Sequence, residues 1–146
     1  MSESTSEGPR VLLASTPSAD PILRHILAPL RDIVSAYTHE EAIARIDAGV
    51  DLVVCSLRFD ESRMLDLIAE VAGSRPHLPF ICCRVLESEL PGTSLRAAFT
   101  AAGHLGAVAV VDLPQLVRSC GERLAQAQLN ACVRAHLRGP GHASMS

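Results

Sequence analysis

The chain has 146 residues, 48% of them hydrophobic and 20% charged, with a formal net charge of -3 at pH 7. That is enough for one compact domain with a core of its own. The 13 basic residues form no block, Trp is absent and Tyr is single, so a nucleic acid would find neither a basic patch nor stacking platforms. No apolar run reaches the roughly 18 residues that span a bilayer, and the polar start MSESTSEGPR lacks the apolar centre of a signal peptide. These features predict a cytoplasmic protein with no membrane partner. Five cysteines, an odd number, do not suit a secreted disulfide framework.

In chain order, residues 1–9 are polar and read as a disordered tail. Val11 to Ala14 is a short apolar strand, and in the turn STPSADP that follows, Asp20 is placed to cap a helix with Pro21 in its first position. Leu23, Ile26, Leu27 and Leu30 share one face of that helix. Ile33 to Tyr37 reads as a second strand. THEE is a capping box, with Thr38 accepting from the backbone of Glu41, for a helix that stops at Gly49.

VDLVVCSLRFD, residues 50–60, holds the apolar run Leu52, Val53, Val54, Cys55 without alternation, the pattern of a parallel strand covered on both faces. A helix follows near 61–72, with Met64, Leu67, Ile68 and Val71 inward and Gly73 as its stop. LPFICCRV is a fourth strand, and a helix from Ser94 to Ala102 ends at Gly103. GAVAVV is a fifth strand, and Asp112 with Pro114 starts a last helix. Strands and helices in alternation define a doubly wound α/β sheet, whose ligands sit at the carboxyl ends of the strands. The division expected is a domain over 10–126, a helical extension over 127–138 and a second disordered tail over 139–146.

The segments THEEAIARIDAGVDLVVCSLRFD, LPFICCRV and AAGHLGAVAVV resemble the second helix and the third, fourth and fifth strands of the receiver domain of bacterial response regulators. The resemblance covers residues 10 to about 126 and implies a flavodoxin-like sheet of order 2-1-3-4-5. It also implies a site: an acidic pair after the first strand holding a divalent cation, and a phosphoacceptor aspartate ending the third. Carboxylates suit both tasks, as hard anionic ligands and as nucleophile. On these positions the chain carries Ser15 and Thr16 for the pair and Ser56 for the acceptor. Arg84 stands where the resemblance implies a hydroxyl residue, Ala107 lies near the place of the switch aromatic, and all 13 basic residues are arginine, leaving no lysine to follow the fifth strand. The expectation is a degenerate, phosphorylation-independent pseudo-receiver, not an enzyme and without a cofactor, whose partner is another signalling protein.

Two readings stand beside each candidate. Ser56 is a phosphoacceptor in its own right or a small residue at a strand end. Arg84 reaches over the emptied pocket to Asp60 or Glu61, or it is solvated. Cys55, Cys82 and Cys83 lie on neighbouring strands, but adjacent strand residues face opposite sides and cannot grip one tetrahedral metal, so core packing is expected. Histidines 25, 39, 77, 104, 136 and 142 show no ligand spacing and read as surface residues. A flavodoxin-like protein that binds a nucleotide or anion through loop 15–20 is the alternative, since Ser15, Thr16 and Ser18 offer hydroxyls. That loop holds Pro17 and no glycine.

Leu113, Leu116, Val117, Cys120 and Leu124 share one face of the last helix, as a helix on the sheet requires. Helix-forming sequence then runs on to Pro140. In an uninterrupted helix Leu129, Val133 and Leu137 lie about 140°, 180° and 220° around from Leu124. This turns them away from the core, so the stripe should pair with a second copy, dock on a partner or bend back near Ala125 to Gln128; the simplest of these is an interface in a homodimer through the C-terminal helix.

Overall fold

The computed structural model describes residues 9–28, 30, 32–89 and 94–143, with side chains to residue 137. The first tail therefore lies, but for Pro9, outside the described residues. β1 (Arg10–Ala14), β2 (Asp32–Ala36), β3 (Leu52–Ser56), β4 (Phe80–Arg84) and β5 (Ala109–Asp112) form one sheet in the order 2-1-3-4-5. Every pairing is parallel. This is the flavodoxin-like architecture that the sequence implies.

The helical segments are α1 (Asp20–Ile26), α2 (His39–Ala48), α3 (Phe59–Ser62), α4 (Met64–Ser74), α5 (Leu95–Leu105), α6 (Leu113–Cys120) and α7 (Glu122–Ala143). α2, α4 and α5 cover the sheet face carrying Leu12, Val53, Phe80 and Cys82. α1 and α7 cover the face carrying Val11, Leu13, Val54, Ile81 and Cys83. All five residues of β3 and of β4 are buried, which explains their unbroken apolar runs.

The capping signals differ in detail from the sequence reading. Thr38 caps α2 as expected, its Oγ1 accepting from the Glu41 N–H at 3.1 Å, while the Glu41 carboxylate reaches one residue further back to the Tyr37 N–H at 2.8 Å. Ala19, not Asp20, is the N-cap of α1, and Gly73 and Gly103 lie inside α4 and α5. The stop of α5 falls at Gly106, whose φ of 126° is open to glycine and strained for other residues. α3 is a turn with Asp60, Glu61 and Ser62 at φ 47°, 56° and 72°, so the helix expected from 61 begins at Met64.

The largest correction concerns the end of the chain. α6 stops at Gly121, with φ 90° and ψ 163°, and α7 starts afresh at Glu122. The break changes the direction of everything after it. Leu129 and Val133 are fully buried among residues of α1, β1, β3 and β4, and Leu137 packs half-buried against the same cluster. Leu124, assigned to the core face, is 58% exposed. Ala125, Leu129 and Val133 are spaced by four residues and share a face of their own, so α7 itself closes the sheet. Asn130 Nδ2 donates to Ile26 O at 3.0 Å and fastens α7 to the end of α1.

The boundary drawn at 126/127 thus falls within a continuous helix that is part of the domain, and the backbone of residues 139–143, read as tail, belongs to α7. The candidate interface of Leu129, Val133 and Leu137 is the protein's own core, and the argument for a homodimer through it lapses.

Candidate functional site

The register sets the carboxyl ends of the strands level. Ala14 pairs with Cys55, Ser56 with Cys83 and Arg84 with Asp112. Ser15, Ser56 and Arg84 therefore emerge along one rim, where a doubly wound sheet places its ligand site.

Ser15 and Ser56 are both fully buried. The Ser15 N–H donates to Ala36 O at 3.1 Å, continuing the sheet ladder one step, and Ser56 Oγ has no hydrogen-bond partner among the described residues. Thr16 turns inward to its own loop: its Oγ1 accepts from the Ala19 N–H at 3.2 Å, and its carbonyl accepts from the Asp20 N–H at 2.9 Å. The loop proposed for anion binding thus spends Thr16 on itself. Beside it stands the buried Asp20 carboxylate, which accepts from Ser35 Oγ at 2.6 Å and Arg24 Nε at 3.1 Å.

Arg84 is 5% exposed, so the solvated reading fails. The partners expected for it were wrong as well. Nη1 donates to Asp112 Oδ1 at 3.1 Å, Nη2 to Glu87 O at 2.7 Å and Glu87 Oε1 at 3.2 Å, and Nε to Glu89 O at 2.9 Å. The reason is register: β5 runs beside β4 and delivers Asp112 level with Arg84. Asp60 instead accepts from the His39 N–H at the start of α2 at 2.7 Å and pairs with Arg63 at 3.6 Å, and Glu61 is exposed.

The cluster extends to both sides of Arg84. Asp112 Oδ1 also accepts from the Gln115 N–H and caps α6, while Glu87 Oε2 pairs with Arg118 of α6. Glu89, 3% exposed, folds back so that its Oε1 accepts from the Val85 N–H at 2.7 Å and the Leu86 N–H at 3.0 Å. Sequence reasoning missed Glu87, Glu89, Asp112 and Arg118 as members of one network. Only Asp112 left a signal, as a helix start.

Cys55 and Cys82 are register partners, and with Cys83 they are fully buried. Burial pushes all three thiols up, with further increments at Cys55 and Cys83 from neighbouring thiols and from Glu89. They are inert packing groups near neutral pH. His39, read as a surface residue, is only 13% exposed in its side chain, where Nε2 meets Glu70 Oε1 at 2.8 Å. Among the described residues no group of three or more His, Cys, Asp or Glu could hold a metal ion, and no helix is long and apolar enough to cross a membrane.

No family model matches the chain, and neither does any curated protein. Solved structures do. A LuxR-family two-component response regulator from Aurantimonas sp. SI85-9A1 aligns with a TM-score of 0.67 at 16% identity, over 94% of both chains. The phosphorylated cyanobacterial phytochrome response regulator RcpA aligns at 0.64 and 14% identity, over 86% of this chain and 91% of its own. NtrX from Brucella abortus aligns at 0.60 and 18% identity over 86% of this chain, which spans 29% of the NtrX chain. At such identities the likeness is one of fold: the chain has the receiver fold.

Proposed function

We infer that the chain is a pseudo-receiver, a non-catalytic module that has the receiver fold, accepts no phosphoryl group and acts by binding another protein in bacterial signalling. One observation carries this reading. The strand ends that would supply three carboxylates supply Ser15, Thr16 and Ser56, two of them fully buried. Mg²⁺ demands hard anionic oxygens in near-octahedral array, and a serine without a base is a poor phosphoryl acceptor. RcpA, whose solved structure is that of a phosphorylated response regulator, marks the contrast.

The position of Arg84 supports the same reading. Arg84, which ends β4 where the resemblance implies a hydroxyl residue, has its guanidinium neutralised by Asp112 and Glu87. Binding through surfaces is what the fold retains once that chemistry is gone. Incubation with acetyl phosphate and Mg²⁺, followed by intact mass measurement, tests the reading. An unchanged mass is expected, and stoichiometric addition of a phosphoryl group would overturn it.

A further inference from the structure

We propose that the Val85 and Leu86 amides form an oxyanion nest at the carboxyl end of β4, and that the chain keeps it filled with its own Glu89 carboxylate. The ligand class that fits the opened nest is a small tetrahedral oxyanion such as phosphate or sulfate. This goes beyond the interaction reading and does not depend on it, because it concerns only how the strand end is occupied.

Two successive backbone N–H groups converge on one oxygen, Glu89 Oε1, at 2.7 and 3.0 Å. Convergent amides of this kind create a fixed positive concavity that recognises anions. The other carboxylate oxygen, Oε2, is buried and has no hydrogen-bond partner among the described residues. A neutral acceptor would close the same loop without bringing a charge into a site 3% exposed. Arg84 Nε donates to the Glu89 backbone carbonyl at 2.9 Å, which fixes the residue that carries the carboxylate. A second orphan, Ser56 Oγ, lies one strand over at the same rim.

The position of the carboxylate is felt electrostatically as well. After burial itself, the Glu89 charge is the next cause that raises the Cys83 thiol, and it contributes at Cys55. The bonds from the Val85 and Leu86 amides set Glu89 over the end of β4. It also fixes the loop after β4, since the Glu89 N–H donates to Leu86 O at 3.0 Å.

The test compares wild type, Glu89→Gln and Glu89→Ala by thermal unfolding in inorganic phosphate and in chloride of equal ionic strength. Glu89→Ala empties the nest and is expected to show a saturable phosphate-specific rise in midpoint on the order of 3 °C. Its Val85 and Leu86 amide resonances should shift along the same binding curve, and sulfate should act similarly. Wild type and Glu89→Gln, which keeps the Oε1 acceptor, are expected to show no such difference. A folded Glu89→Ala protein that responds to phosphate as wild type does would overturn the proposal. Should that variant not fold, Glu89→Ser in the same comparison decides: it too should gain the phosphate-specific rise, and a folded Glu89→Ser protein without one overturns the proposal equally.

Discussion

Arg84 Nη1 lies 3.1 Å from Asp112 Oδ1, joining the carboxyl ends of β4 and β5 by an ion pair whose arginine is almost wholly buried. The same carboxylate caps α6, so one pair fixes both a strand end and the helix that follows. Arg84→Met keeps the volume but leaves Asp112 and the Glu87 and Glu89 carbonyls without their donor. A loss of about 3 kcal/mol in urea unfolding is expected. A change within about 0.5 kcal/mol, typical of a solvated side chain, would refute the clamp.

The break at Gly121 makes a second prediction. Its φ of 90° with ψ of 163° lies in a region that side chains avoid, although no atom stands within 4 Å of an added Cβ. Gly121→Ala therefore acts through the backbone alone and should cost about 1–3 kcal/mol. Loss of this order with the fold intact by circular dichroism supports the break, and a stabilised protein contradicts it.

The burial of α7 separates two leucines five residues apart. Leu129→Ala removes a fully buried side chain and should cost about 2–5 kcal/mol, whereas Leu124→Ala, at a site 58% exposed, should change stability by less than about 0.5 kcal/mol. The reverse order would restore the uninterrupted helix. Truncation after Leu124 should unfold the domain, since it strips Ala125, Leu129 and Val133 from the core.

This reversal shows where the sequence stops being legible. Helical periodicity found Leu113 and Leu116 and also Leu129 and Val133, because each set is regular on its own helix, although Val117, expected on the core face, is 37% exposed. It could not supply the rotation between the sets, which a single glycine conformation decides. Strands were plainer, since β3 and β4 are buried on both faces and read as unbroken apolar runs. At the site, the missing carboxylates could be counted from residue identity. The partners of Arg84 could not, because they depend on β5 lying beside β4 and on how the loop through Glu89 folds back.

The buried thiols predict a pH dependence. Burial raises the folded-state values of Cys55, Cys82 and Cys83, while unfolded thiols titrate near 8.5. Below that pH both states are protonated and the thiols contribute nothing. Above it the unfolded state ionises first, so stability should fall with rising pH by up to about 1.4 kcal/mol per pH unit for each thiol. Under reducing conditions, the midpoint in urea should decline more steeply between about pH 8.5 and 10 in wild type than in Cys82→Ala. Parallel slopes would contradict the assignment.

The proposed lack of a cation and phosphoryl site is most directly tested by amide resonances. Mg²⁺ with beryllofluoride, added to ¹⁵N-labelled protein, is predicted to leave the Ser15, Thr16, Ser56, Arg84 and Val85 signals in place. Saturable shifts concentrated on those five residues would contradict the account.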